Sequence, residues 1–143
     1  MNRTSLLLVD DNATYLQILT DFLETDYKAE VAVVGTGTGG EEGLARARAL
    51  RPQVVLLDLA MPNLTGLKVI PRLRHMLPKV GVIALTLLDP NSYRQAALDA
   101  GADAFVCKTD IASDLLPAIR RVAQARATRQ TAVKQRARKQ RGR

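Results

Sequence analysis

Five short, uninterrupted apolar runs alternate with stretches of helical spacing, and this alternation constrains the fold more than any other feature. LLLV (6–9) precedes YLQILTDFL (15–23), and VAVV (31–34) precedes EEGLARARAL (41–50). VVLL (54–57) precedes LKVIPRLRHML (67–77), VGVIAL (80–85) precedes SYRQAALDAG (92–101), and AFVC (104–107) precedes a helix that starts near Ile111. A strand of four to six apolar residues with no polar alternation is buried on both faces, which is the pattern of a parallel sheet. Parallel neighbours need crossovers, and each run here is followed by a segment long enough to be one. The expected fold class is therefore α/β, a doubly wound five-stranded parallel sheet with helices on both faces.

Length and composition agree with this. A chain of 143 residues fits one domain. Aromatics are only 3% and Trp is absent, so Leu, Val, Ile and Ala must build the core. The single cysteine, Cys107, excludes an intrachain disulfide and is expected as a reduced core thiol. No apolar run approaches the roughly 20 residues needed to span a bilayer, so membrane insertion is not expected and a cytoplasmic location is.

The net charge of +7 is not spread evenly. Residues 1–123 hold 13 Lys/Arg and 14 Asp/Glu, whereas 124–143 hold 8 Lys/Arg and no acid. The expected organisation is a domain over 1–123 and a basic C-terminal extension over 124–143. Ile111, Leu115, Ile119 and Val122 give the closing helix one apolar face. That face stops at Ala123; nothing breaks a helix before Gly142, and nothing requires one, so a frayed helix and a solvated tail both stay open.

Ligands of an open parallel sheet bind beyond the carboxyl ends of its strands. The polar residues at those ends are Asp10 and Asp11, Asp58, Thr86 and Lys108. A strand order of 2-1-3-4-5 makes strands one and three neighbours. It converges their carboxylates, with Thr86 and Lys108 on the other side of Asp58. Crowded carboxylates repel one another unless a cation sits among them, and Mg²⁺ suits hard oxygen ligands. A carboxylate in such a site can attack a phosphoryl group, while a lysine and a hydroxyl stabilise the phosphoryl oxygens.

In this arrangement the chain resembles the receiver domain of two-component response regulators. The resemblance rests on Asp10-Asp11, the run from Asp58 to Gly66 (DLAMPNLTG), Thr86, GADAF (101–105) and Lys108, and covers about residues 5–123. The spacing from Asp58 to Thr86 to Lys108 is most similar to receivers of the NarL/LuxR type, which precede a helix-turn-helix output domain. The resemblance implies a flavodoxin-like fold with strand order 2-1-3-4-5 and a phosphoacceptor rather than a turnover enzyme. It implies Asp58 as acceptor and Asp11 as a direct Mg²⁺ ligand, with Asp10 assisting and the Ala60 backbone carbonyl completing the protein ligands. Lys108 would pair with the phosphoryl group; Thr86 would move toward it and Phe105 would turn into the space vacated. The implied partner is a histidine kinase or phosphotransfer protein, the output surface helix four and strand five, or helix five. A homodimer is an open possibility.

Two departures from the family pattern stand out. Leu87 and Leu88 follow Thr86, and with Ala60 they are expected to restrict water and prolong the acyl phosphate; a lifetime of seconds would sink this. Thr109 follows Lys108 where many members carry Pro, so no cis peptide is assumed there.

Plainer readings compete at several positions. Gly35, Gly37 and Gly40 satisfy G-x-G-x-x-G after a strand and before a helix, with Asp58 roughly 20 residues on, as in a dinucleotide-binding protein. Glu41 and Glu42 at the helix start oppose a pyrophosphate there, and the glycines are expected instead to form a loose surface loop. A phosphohydrolase with an Asp nucleophile would want a second Asp two residues on, where Ala60 stands. His75 is read as a surface histidine, and Met61, Pro62 and Gly66 as shaping the turn after Asp58. The basic extension is read as a solvated linker in preference to a nucleic-acid or acidic-partner site, because it carries no aromatics for base stacking.

Overall fold

The structure is a computed structural model that describes residues 3–87 and 90–141, with side chains through residue 129 other than Pro90. Leu88 and Gly142 lie outside the described residues. The five strands are β1 (Thr4–Val9), β2 (Val31–Gly37), β3 (Val54–Asp58), β4 (Gly81–Thr86) and β5 (Ala104–Cys107). The five helices are α1 (Ala13–Asp26), α2 (Gly40–Leu50), α3 (Gly66–Met76), α4 (Pro90–Ala100) and α5 (Ile111–Arg141), with a 3-10 turn at Lys108–Asp110 leading into α5. All pairings are parallel, as the alternation requires, and the order is β2-β1-β3-β4-β5, as the resemblance implies.

The period-two geometry of strands divides the core into two layers. Leu7, Val9, Val55, Leu57, Val82, Ala84 and Phe105 face Ala47 of α2, Val69, Ile70 and Leu73 of α3, and Ala97 of α4. Leu6, Leu8, Val54, Leu56, Ile83, Leu85 and Val106 face Leu16, Leu19 and Leu23 of α1, and Leu115, Ile119 and Val122 of α5. Helices therefore cover both faces, and the apolar face read for the closing helix is the one it buries; Ile111 is partly buried at its start.

The glycine-rich segment departs from expectation. Gly35 and Gly37 continue β2 and pair with Leu7 and Val9, so they form strand rather than loop. The register slips between Leu6 and Leu7, which skips Val34 and leaves it exposed. Gly40 opens α2 buried against Leu64, and Glu41 and Glu42 occupy the first turn. Only Thr38 and Gly39 remain between β2 and α2 to cradle a pyrophosphate, and β2 is the edge strand, away from the crevice. The dinucleotide reading fails on both counts.

The basic extension also takes a definite form. The backbone of α5 is helical without a break across residue 123 and on to Arg141. Arg129 donates to Asp103, whose carboxylate also accepts from Arg74 and from the Val82 N–H.

Candidate functional site

The site assembles at the carboxyl edge of the sheet because β1 and β3 are hydrogen-bonded neighbours and end together. Asp58 is the last residue of β3, and Asp10 and Asp11 follow β1. Asp10 is pinned locally: its Oδ1 accepts the Asn12 N–H at 2.9 Å, while Asn12 caps α1 by accepting from Tyr15 N–H at 3.0 Å. Asp58 Oδ1 accepts the Ala60 N–H at 3.3 Å. The loop after Asp58 is shaped by Asn63, which adopts φ 66°, and by Gly66, where a β-carbon would run into the Asp58 carbonyl oxygen. The backbone requirement at Gly66 is close approach, not an unusual dihedral.

Carboxylate oxygens of Asp10, Asp11 and Asp58 lie within 4.8 Å of one another. Asp10 and Asp58 are buried and Asp11 is exposed. Burial first, and the Asp10 charge second, push the Asp58 carboxyl above the ordinary carboxylate range; Lys108 and the Ala60 N–H act in the opposite direction. Lys108 Nζ lies 2.6 Å from Asp10 Oδ2 and 3.5 Å from Asp58 Oδ1. The expectation that Lys108 stands on the far side of Asp58 holds for its backbone on the β5 side but not for its ammonium. The long aliphatic stem carries the ammonium to both Asp10 and Asp58.

One site residue escapes the sequence reading. Tyr15, in the first turn of α1, places its ring 4.3 Å from Lys108 Nζ. Burial, then the charges of Asp10 and Asp58, push its hydroxyl up to about 12. An aromatic five residues beyond Asp10 carries no motif, so only helix geometry brings it in.

Thr86 ends β4 fully buried, beside β3. Phe105 is already inside, 8% exposed, with the Arg94 guanidinium 5.2 Å from its ring centroid. Leu87 is 73% exposed, and Leu88 lies outside the described residues. Ala60 is exposed, His75 is a surface residue, and Cys107 is half-buried rather than a full core thiol. Among the described residues there is no cis peptide bond.

Three carboxylates facing one ammonium leave a deficit of positive charge among hard oxygen donors, which fits a small divalent cation. Oxygens within 4.8 Å of one another are near enough to share such an ion, and Mg²⁺ prefers hard oxygen donors of this kind.

The pattern of the response regulator receiver domain matches residues 6–120. The chain belongs to this family. It is thus a receiver domain of two-component systems, whose members typically signal without turning over a substrate and interact with histidine kinases or phosphotransfer proteins. The response regulator protein VraR of Staphylococcus aureus is 34% identical to this receiver over 121 residues, 83% of this chain and 56% of VraR. The chain thus spans about half the length of such curated relatives. The receiver of Thermotoga maritima CheB superposes with TM-score 0.77 at 27% identity, covering 86% of this chain and 98% of that one. A LuxR-family DNA-binding response regulator from Staphylococcus aureus superposes with TM-score 0.72 at 27% identity, covering 84% and 98%. Among the described residues no helix is long and apolar enough to cross a membrane.

Proposed function

We propose that this receiver accepts a phosphoryl group on Asp58 from a phosphohistidine donor. The observation that carries the reading is a buried Asp58 with two further carboxylates within 4.8 Å and a lysine ammonium among them. Asp11 and Asp58, assisted by Asp10 and the Ala60 carbonyl, would hold Mg²⁺, which supplies charge neutralisation for the phosphoryl oxygens. Asp58 attacks phosphorus through a carboxylate oxygen, a P–O bond replaces the donor's P–N bond, and the imidazole leaves. Its Oδ1 is fixed by Ala60 and Lys108, so the carboxylate plane is set before the donor arrives.

Lys108 holds the positive charge that the transferred group needs. In the resting arrangement that charge serves Asp10; on transfer it moves to the phosphoryl oxygens, within reach of the same flexible stem. Thr86 Oγ1 then donates to the phosphoryl group, and repacking about Thr86 and Phe105 passes the change to α4 and β5. The donor approaches beside an apolar groove of about 320 Å³ lined by Tyr15, Ile18, Phe22 and Ile111, in which Ile18 is 63% exposed. Such a groove suits a helix that carries the phosphohistidine.

Intact mass after incubation with a small phosphoramidate and Mg²⁺ tests the reading. Wild type gains one phosphoryl group, and neither Asp58→Asn nor a Mg²⁺-free sample does. A gain in Asp58→Asn, or none in any sample, overturns it. A second reading makes this receiver the regulatory part of a longer DNA-binding regulator. It is favoured by the likeness to the Staphylococcus aureus LuxR-family protein, and a native polypeptide of 143 residues would end it.

A further inference from the structure

The family match ends at residue 120, but α5 continues to Arg141. A helix of 31 residues is about 46 Å long, whereas the longest strand, with seven residues, spans about 23 Å. α5 starts at the carboxyl edge and runs back along the sheet. Val122 packs over Gly81, the first residue of β4, and Arg129 reaches Asp103, which immediately precedes β5. The helix has therefore reached the amino edge of the sheet by these residues. Residues 130–141 continue the helical backbone past it, at the end opposite the acidic cluster.

This outrunning stretch has an unusual composition. Residues 124–143 contain six Arg, two Lys and four Gln, no acid, and no Leu, Ile, Met or aromatic residue. A membrane-surface helix needs a broad apolar face, and none exists here. Arg and Gln are instead residue types that bond phosphate oxygens and base edges. The lack of aromatics argues against single strands, which are held by stacking. It does not count against a duplex, and the unbroken helix is the observation that the sequence left open. The major groove of B-form DNA admits an α-helix, whereas that of A-form RNA is too narrow.

We propose that the C-terminal stretch of α5, centred on Lys134, Arg136, Arg138, Lys139 and Arg141, binds duplex DNA through its phosphates. Arg129, just before this stretch, donates to Asp103, whose carboxylate also accepts from Arg74.

Fluorescence anisotropy of the full chain with a labelled 20-base-pair duplex tests this, alongside the matching single strand and vesicles with 30% phosphatidylserine. The duplex is expected to bind at 50 mM NaCl, with affinity falling by roughly two to three orders of magnitude at 200 mM, as about five phosphate contacts require. A variant with those five residues changed to Gln is expected to lose at least tenfold in affinity. It should keep its circular dichroism and its Mg²⁺-dependent phosphorylation, since the changes lie far from Asp58. Absence of duplex binding at 50 mM NaCl, salt-insensitive binding, or an unaffected variant would overturn the proposal. Equal affinity for the single strand would overturn the groove fit, and equal affinity for the vesicles would make the helix a membrane-surface element instead.

Discussion

Asp58→Asn is expected to stabilise the metal-free protein at neutral pH. The charges around Asp58 nearly cancel. At an effective dielectric of about 20, an Asp10 oxygen within 4.8 Å repels it by at least about 3.5 kcal/mol, and Lys108 at 3.5 Å attracts it by about 4.7 kcal/mol. Asp11 is exposed, and in water-like surroundings it adds under about 1 kcal/mol of repulsion. Burial therefore decides the sign. Desolvation of a buried carboxylate costs several kcal/mol, of which the Ala60 N–H returns about 1.5–3 kcal/mol. The net gain on neutralisation is on the order of 1–2 kcal/mol, or roughly 3–8 °C in Tm for a chain of this length. Because the folded-state pKa is raised, the contribution of Asp58 is fully present below the ordinary carboxylate range and is lost as pH rises through the folded pKa. The advantage of the variant should thus be largest near pH 8 and shrink toward zero near pH 4. Mg²⁺ at about 100 times its Kd should stabilise wild type by about 2.7 kcal/mol and the variant far less. Thermal melts at both pH values, with and without Mg²⁺, measure all of this. A variant less stable than wild type at pH 8 without Mg²⁺, or an advantage undiminished at pH 4, would refute the reasoning.

Lys108→Met leaves two buried carboxylates without their ammonium and should cost about 3 kcal/mol in urea denaturation at pH 7.5; a loss below about 1 kcal/mol would mean the pair is not desolvated. In a Tyr27→Phe, Tyr93→Phe background, the Tyr15 absorbance change on ionisation should be centred near 12 and fall in Asp10→Asn; a midpoint near 10 would contradict its burial and the charges beside it. Gly66→Ala should destabilise by about 2 kcal/mol and slow phosphorylation, because the new methyl group displaces the backbone that carries Asp58, and neutral behaviour in both assays would remove that constraint.

The layered fold was legible because burial on both faces writes itself into composition. LLLV, VVLL and VGVIAL have no polar member, as strands buried on both faces of a parallel sheet require. Asp10, Asp11, Asp58, Thr86 and Lys108 were equally legible as a group, since each stands at the end of such a run and strand ends share an edge. Tertiary structure decided what depends on direction and reach across elements. Lys108 bonds Asp10 as well as facing Asp58 because β1 and β3 end side by side and bring both carboxylates within reach of one ammonium. Tyr15 enters the site because α1 turns its first helical turn over Lys108, which no spacing announces. Gly35 and Gly37 became strand because pairing with β1 satisfies their backbone groups, overriding a local preference for turns. The helical course of α5 past Ala123 has the same character: its residues permit a helix everywhere, and the anchored first turns supply the nucleus from which it propagates.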